Sequence, residues 1–185
     1  MNSYIISTVR LGLHEWQEID IEPFAEMNSD EDVMKYFPAT LSYSETVRSV
    51  ERIKLHFKEN GFGLFAVENK STLEFMGFAG FAIPRFESFF TPCVEIGWRF
   101  KKEWWGQGLA SEAAIACLAY GFNALQFEKI VSFTSTVNVN SEKVMRRIGM
   151  NYIGHFDHPN IDRNSVLCNH IIYEIARQTY LNKCL

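Results

Sequence analysis

The stretch VEIGWRFKKEWWGQGLASEA, residues 94–113, does most to determine which fold the chain can adopt. Its first seven residues alternate as in a β-strand, and Gly106 and Gly108 then form a turn before an Ala-rich helical stretch at 109–125. A strand, a glycine turn and a helix can make an anion site, because free backbone N–H groups and the positive end of the helix dipole converge there. A glycine pair before a helix is also common as a plain tight turn, so both interpretations remain open.

Two common phosphate-binding loops do not fit this turn. A Walker loop ends in Gly-Lys-Ser/Thr, whereas Gly108 is followed by Leu109 and Ala110. A dinucleotide-binding fingerprint needs a third glycine where this chain has Ser111, and an acidic residue at the end of the next strand. Glu128 has the right separation but precedes that strand, so an NAD-dependent oxidoreductase is disfavoured. The small residues after the turn leave room for a ligand close to the helix.

Outside this stretch, the hydrophobic pattern predicts the element order β, α, α, ββ, β-α-β-α, ββ. Ser42 and Glu45 form a capping box before one of the helices, which Gly61 ends. The predicted strands are 4–13, 63–68, 74–83, 93–101, 130–137, 152–157 and 166–175, and the remaining predicted helices are 22–28, 30–36 and 140–148. This order predicts an α/β or α+β fold with a mostly antiparallel sheet, flanking helices and one β-α-β crossover.

The composition limits the class of protein. The chain has 185 residues, 47% hydrophobic and 22% charged, which predicts a single globular domain over residues 1–185. The formal net charge is -4 without a basic stripe, so no nucleic-acid partner is expected. No stretch predicts a membrane span or a signal peptide. Four cysteines without CxxC spacing favour reduced thiols, and we expect a cytoplasmic protein.

Several motifs occur in one order along essentially the whole chain. They are MKYFP at 34–38, GFGLFAVE at 61–68, VEIGWRF at 94–100, WGQGLASEA at 105–113, NVNS at 138–141, VM at 144–145, IGM at 148–150, FDHP at 156–159 and HIIY at 170–173. This series resembles the GNAT superfamily of acetyl-CoA-dependent N-acetyltransferases, and its Rim-type branch in particular. The resemblance implies a GNAT-like fold with a bent central sheet, and an acyltransferase that moves acetyl from acetyl-CoA to a primary amine.

The resemblance also implies where acetyl-CoA binds. The strands at 94–100 and 130–137 would splay apart, and the pantetheine arm would enter the gap like an added strand. Gly97 suits a bulge beside this gap. Because Glu103 stands where the family often has Gln or Arg, binding of the pyrophosphate would rest on backbone amides. The expected contacts are Ile96, Trp98, Phe100, Trp105, Gly106, Gln107, Gly108, Leu109, Ala110, Asn138 and Ser141. Core packing is the alternative for Trp98, and helix capping for Asn138 and Ser141.

Acetyl transfer needs a neutral amine, a donor for the developing oxyanion and a proton for the leaving thiolate. Glu95 on the central strand is the candidate base, with a solvated or ion-paired structural Glu as the alternative. The resemblance implies that a backbone N–H near Trp98 is the oxyanion donor. Many family members place a Tyr where this chain has Met145, so Ser141 is the candidate proton donor. The missing Tyr leaves open a catalytically weak acyl-CoA-binding relative that acts as a sensor or structural protein.

The histidines near the C-terminal end do not predict a metal site. On a strand His155 and His158 would point to opposite faces, and the family needs no metal. His158 or His170 could instead line the acceptor pocket, with a structural hydrogen-bonded His as the alternative. The acceptor stays open between a protein N-terminus and a small-molecule amine, with no membrane or nucleic-acid partner, and the protein is expected to be a monomer or homodimer.

Aromatic residues make up 15% of the chain, and we expect two roles for them. Four should lie in the core of the sheet, namely Phe65, Phe78, Phe81 and Phe133. The others should line the cofactor cleft around the glycine turn or border the acceptor site, namely Trp98, Phe100, Trp104, Trp105, Tyr36, Phe37, Phe86, Phe89 and Phe90.

Overall fold

The computed structural model describes residues 4–183. The strands are β1 Ile6–Ser7, β2 Leu11–His14, β3 Leu64–Asn69, β4 Phe75–Ala82, β5 Glu95–Phe100, β6 Lys129–Ser135, β7 Asn151–Asp157 and β8 Asn169–Ala176. The helices are α1 Ile21–Ser29, α2 Glu31–Met34, α3 Tyr43–Asn60, α4 Leu109–Asn123, α5 Val139–Arg147 and α6 Arg177–Lys183.

All eight strands form one sheet in the order β1-β2-β3-β4-β5-β6-β8-β7. Every neighbouring pair is antiparallel except β5 and β6, which are parallel and joined through α4. The mostly antiparallel sheet with one β-α-β crossover is therefore confirmed. No helix in the described part of the chain is both long and apolar enough to cross a membrane.

Local sequence signals explain the boundaries of α3. The Ser42 hydroxyl accepts a hydrogen bond from the Glu45 backbone N–H, and the Glu45 carboxylate accepts one from the Ser42 N–H. At the other end, Gly61 has φ 76° and its N–H donates to the carbonyl of Phe57. A left-handed residue is needed there, which glycine adopts without steric cost. The predicted capping box and helix end are both confirmed.

Three local predictions are wrong. The single strand predicted at 4–13 is a hairpin of β1 and β2, because the Thr8 hydroxyl accepts from the Leu11 N–H and closes a turn. Gly97 forms no bulge, since the β4–β5 register runs unbroken through its pair with Gly80. The C-terminal helix α6 was not predicted, because its short stretch follows β8 without a turn signal.

The two faces of β5 have different environments. Ile96 and Phe100 lie on the face that packs against α4, where Gly121 approaches Phe81 of β4. Glu95, Gly97 and Arg99 lie on the opposite face. On that face α1 covers β4, with Phe24 edge-on to Phe78 at 6.0 Å between ring centroids. Alternate residues of β5 therefore face α4, and the residues between them face the side covered by α1.

The aromatic residues follow the expected division only in part, because Phe86, Phe89 and Phe90 do not line the cleft. Phe65, Phe78 and Phe81 are buried in the main core. Phe133 differs, because it packs into a second cluster around Phe90, Val131 and Ile172 that also includes Phe86 and Phe156. Cys117 and Cys168 are buried free thiols and Cys93 is half-buried. Cys184 lies outside the described residues.

Candidate active site

A cleft of about 810 Å³ opens where β5 and β6 separate. It is lined by β5, the glycine turn, the first turns of α4 and α5, and loop segments that carry Phe37 and His158. The predicted site residues that line it are Glu95, Ile96, Trp98, Phe100, Trp105, Gly106, Gly108, Leu109, Ala110, Asn138 and Ser141. Gln107 does not line it, because its side chain donates to the carbonyl of Glu103. Nearly all the residues predicted from the sequence thus line this cleft.

The edge of β5 that faces β6 is mostly without a ladder partner. In the described chain the two strands pair only at Glu95 and Val131, where the Val131 N–H donates to the carbonyl of Val94 at 2.9 Å. Successive backbone groups alternate in direction, so the N–H and C=O of Trp98 also point toward the gap. The Phe100 carbonyl accepts from the Trp105 indole at 2.9 Å. An extended ligand could therefore pair with the backbone of Trp98.

The glycine turn presents backbone amides at the start of α4. Gly106 and Gly108 have φ 74° and 76°, a left-handed conformation that favours glycine, and a Cβ added at Gly106 would meet no atom within 4 Å. The first four N–H groups of a helix have no partner within the helix, so they can bind a phosphate. Two cations of α5, Lys143 and Arg147, line the same cleft. This end of the cleft suits a pyrophosphate.

Arg10 fixes the turn from the β1–β2 hairpin. Its Nη1 donates to the carbonyl of Gln107 at 3.1 Å, and its Nε donates to Glu112 at 2.7 Å. Thr8 also donates to Glu112 through its hydroxyl, at 2.5 Å. The hairpin therefore holds the glycine turn against the first turn of α4.

Glu95 lies at the closed end of the gap and its half-buried side chain lines the cleft. Burial raises the pKa of Glu95 from its usual 4.5 to about 8, and burial is the only cause. Among the described residues, its carboxylate therefore has neither a counter-ion nor a hydrogen-bond donor that would hold it ionised. The ion-paired structural role is not the one that Glu95 has in this structure. A carboxyl with a pKa near neutrality is suited to proton transfer.

Asn138 and Ser141 combine helix capping with a place in the cleft. The Asn138 amide oxygen accepts from the Ser141 N–H at 3.3 Å, and its amide nitrogen donates to the hydroxyls of Ser141 and Thr134 at 3.1 and 3.0 Å. Both amide hydrogens of Asn138 are thus used within the protein. The Ser141 hydroxyl accepts one of them and keeps its own hydrogen available for donation into the cleft.

No phenol in the described part of α5 takes the place of the absent family Tyr. Met145 is buried there and lines the cleft through its thioether side chain. Tyr173 of β8 lies nearby, but its hydroxyl donates to Glu142 at 2.7 Å and it does not line the cleft. Ser141 therefore stays the candidate proton donor, although other hydroxyls, such as those of Thr134 and Ser135, line the same cleft.

The side of the cleft opposite α4 contains His158 and His170, whose ring centroids are 5.0 Å apart. Burial lowers the pKa of both imidazoles, so they are neutral near pH 7. His170 Nδ1 lies 3.0 Å from the carbonyl of Cys168, which places its hydrogen on that nitrogen. His155 lies on β7 and does not line the cleft. In the described chain no three His, Cys, Asp or Glu side chains are grouped to bind a metal.

Five cationic residues of the site were missed by the sequence analysis, and one of them, Lys35, lines the cleft directly after α2. Arg10 reaches the glycine turn, Lys143 and Arg147 line its end of the cleft, and Arg99 lies on the face of β5 that carries Glu95. Of these positions, the sequence indicated only that of Arg99, which alternates with Trp98 and Phe100 along the strand. The others depend on contacts between elements far apart in the chain.

Comparison with known proteins agrees with this geometry. A family model described as an acetyltransferase (GNAT) domain matches residues 10–151. The uncharacterized protein YkkB of Bacillus subtilis (strain 168) is 36% identical over 129 residues, which cover 70% of this chain and 74% of that protein.

Two solved structures share the fold. A GNAT-family acetyltransferase from Bacillus anthracis is 29% identical with a TM-score of 0.77, and the match covers 94% of this chain and 98% of that one. RimL, a ribosomal L7/L12 alpha-N-protein acetyltransferase solved in complex with coenzyme A, has a TM-score of 0.77 at 16% identity, over 96% and 99% of the two chains. At that identity the likeness to RimL concerns the fold alone.

Proposed function

Because the chain belongs to the GNAT acetyltransferase family and is thus an acyltransferase, we propose that it transfers acetyl from acetyl-CoA directly to a primary amine. The observation that carries the proposal is the meeting of three features in one cleft. These are the open edge of β5, the amide-lined glycine turn, and the Glu95 carboxyl at the closed end of the gap.

The residues of the cleft fit acetyl-CoA. The open C=O of Trp98 suits an amide N–H of a pantetheine arm, and the α4 N-terminus with Lys143 and Arg147 suits the phosphates. Gly97 leaves space in the cleft, because a Cβ added there would meet no atom within 4 Å. When bound, acetyl-CoA supplies an acetyl group activated as a thioester.

Glu95 is the proposed general base. An amine near pH 7 is mostly protonated and cannot attack a carbonyl until the proton is removed. The Glu95 carboxylate accepts this proton directly or through water, and its raised pKa makes it a stronger base than an exposed glutamate. The C–N bond then forms on the carbonyl carbon.

Two further groups act on the thioester. The Trp98 N–H, directed into the gap, donates a hydrogen bond to the carbonyl oxygen as negative charge develops on it. The Ser141 hydroxyl donates to the sulfur as the C–S bond breaks. Asn138 holds the Ser141 oxygen in place through its amide nitrogen.

The test combines binding with turnover. Purified protein is titrated with acetyl-CoA by calorimetry and then assayed for CoA thiol release with a panel of peptide N-termini and small amines, with mass spectrometry of the products. We expect binding, and amine-dependent release of one CoA for each acetylated amine. Tight binding without turnover, unchanged in a Glu95→Gln, Ser141→Ala double variant, would support the acyl-CoA sensor instead.

We make three further proposals about the protein as a whole. The acceptor is a protein N-terminus or a small-molecule amine, one catalytic domain spans 1–185, and the protein is a cytoplasmic monomer or homodimer. The free thiols of Cys93, Cys117 and Cys168 support a reducing compartment.

A further inference from the structure

Arg99 is half-buried in the wall of the cleft, on the face of β5 that also carries Glu95. Its Nη1 donates to the amide oxygen of Asn28 at 2.7 Å. Asn28 is fully buried and donates in turn to the hydroxyl of Thr46 at 3.0 Å. This chain of hydrogen bonds fixes the guanidinium from the side of α1 and α3.

Two aromatic rings lie against the guanidinium. Its Cζ lies 4.3 Å from the centroid of Phe37 and 5.0 Å from that of Phe78. A cation–π contact of this kind uses no N–H group, so the N–H groups stay available for hydrogen bonds. Phe37 and Phe78 also line the cleft, so the stacked group belongs to the ligand-binding space.

The charge of Arg99 is not balanced within the described residues. No carboxylate among them lies within the 4.0 Å of an ion pair, and the Arg99 Nε is buried without a hydrogen-bond partner. Burial alone lowers the pKa of Arg99 to about 10. Of the carboxylates that line the cleft, Asp32 is paired with Lys102, and Glu95 lies four residues away along the strand. A cation that is partly withdrawn from water and has no counter-ion attracts an anion, so an anion that enters the cleft would be held there.

We propose that Arg99 binds a carboxylate on the acceptor, and that the acceptor is therefore a primary amine that also carries a carboxylate. The inference rests on the proposed function, because it places the amine at Glu95. A planar guanidinium matches a carboxylate through two parallel hydrogen bonds. One guanidinium also balances the single charge of a carboxylate, whereas a phosphate would bring nearly twice that charge.

The spacing of the two groups sets the size of the acceptor. Glu95 and Arg99 are four residues apart on one strand, so their Cα atoms are separated by about 13 Å. Side chains from both ends shorten the distance that a ligand must span. An amine and a carboxylate joined by several bonds, as in an ω-amino acid or a short peptide, fit this span better than an α-amino acid.

Arg99 belongs to the acceptor side of the cleft and not to the phosphate end. It lies on the face of β5 opposite α4, whereas Lys143 and Arg147 line the cleft beside the glycine turn. A change at Arg99 should therefore alter the KM of the acceptor and leave the KM of acetyl-CoA unchanged. This separation gives the experiment a readout that a purely structural role would not produce.

The experiment uses ω-amino acids of increasing chain length, each matched with the alkylamine and the diamine of the same length. For wild type, at one optimal chain length, we expect kcat/KM to be at least about tenfold higher for the ω-amino acid than for the alkylamine of the same length. Arg99→Met should abolish that preference, because kcat/KM should fall much further for the ω-amino acid than for the alkylamine. Arg99→Lys should retain part of it, and Arg52→Met, on the exposed surface of α3, should retain all of it.

Each outcome decides the proposal. Turnover without a carboxylate preference, a preference for the diamine, or a preference kept in Arg99→Met would overturn the inference and leave the proposed function standing. If no amine is acetylated, the same compounds are titrated calorimetrically into CoA-loaded protein. Arg99-dependent binding of the ω-amino acid would then support the inference while the proposed function fails, and its absence would overturn both.

Discussion

Within residues 4–183, Glu95 and Val131 form the only pair that joins β5 to β6. Beyond this pair the strands separate, and the cleft occupies the space between them. The Glu95 carboxyl therefore lies where the gap closes, in surroundings that raise its pKa to about 8. The same placement that suits Glu95 for proton transfer makes its ionised form unfavourable for stability.

Glu95 should make stability depend on pH. Its pKa is about 8 in the folded protein and near the usual 4.5 when unfolded, so between these values the folded state binds more protons. The free energy of unfolding must then fall as pH rises from about 4.5 to 8. Glu95→Gln cannot ionise, and urea melts at pH 5 and pH 9 should show a smaller fall. The exposed Glu51→Gln serves as control, and equal pH dependence in all three proteins would contradict the assignment.

Ser141→Ala should reduce turnover and leave acetyl-CoA binding intact. The side chain donates to the leaving sulfur, so kcat should fall about 100-fold. Asn138 still accepts from the backbone N–H of residue 141, and the loss of one hydrogen bond should lower the free energy of unfolding by about 1 kcal/mol. The exposed Ser71→Ala is the matched control. An unchanged kcat in Ser141→Ala would show that the Ser141 hydroxyl is not the proton donor and contributes only to capping the helix.

Gly97→Val should separate binding from folding. Gly97 has open space around a potential Cβ, so the variant should fold with an unchanged Tm while kcat/KM falls by about 100-fold. Gly77→Ala is the contrasting variant, because its Cβ would lie 2.1 Å from the Arg99 carbonyl and its φ is 147°. That variant should be destabilised. Normal activity in Gly97→Val would show that no ligand passes this part of β5.

Arg10→Met should weaken binding of acetyl-CoA. The exposed Arg10–Glu112 ion pair contributes little by itself, but Arg10 also fixes the Gln107 carbonyl at the glycine turn. A loss of about 1 kcal/mol would raise the KM of acetyl-CoA roughly fivefold, with kcat unchanged. Arg10→Lys keeps the charge but not the forked contact, so it should show a partial effect. A changed kcat with a normal KM would place Arg10 outside the binding of the cofactor.

The sequence was most informative where a signal is local. The capping box of Ser42 and Glu45, the glycine turn and the alternation along β5 each depend on residues a few positions apart, and all three appear in the structure. These signals located the crossover and one wall of the cleft.

Long-range contacts could not be predicted in this way. Arg10 meets Gln107 across 97 positions of the chain, and Arg99 meets Asn28 across 71. The direction of such side chains depends on how α1 and the N-terminal hairpin dock, which no periodicity encodes. The hairpin itself was missed because alternation continues through both of its arms, and the turn is closed by Thr8, whose N–H donates to the Leu11 carbonyl and whose hydroxyl accepts from the Leu11 N–H.

The most direct test of the account is the pH dependence of amine-dependent CoA release, measured as kcat/KM in wild type and in Glu95→Gln. The ionised carboxylate is the active form, so the wild-type rate should rise with pH through a midpoint near 8 and then level off. Glu95→Gln should lose this rise and fall at least about 100-fold below wild type at the plateau, with acetyl-CoA binding unchanged. An identical profile in both proteins, or no amine-dependent release by wild type, would contradict it.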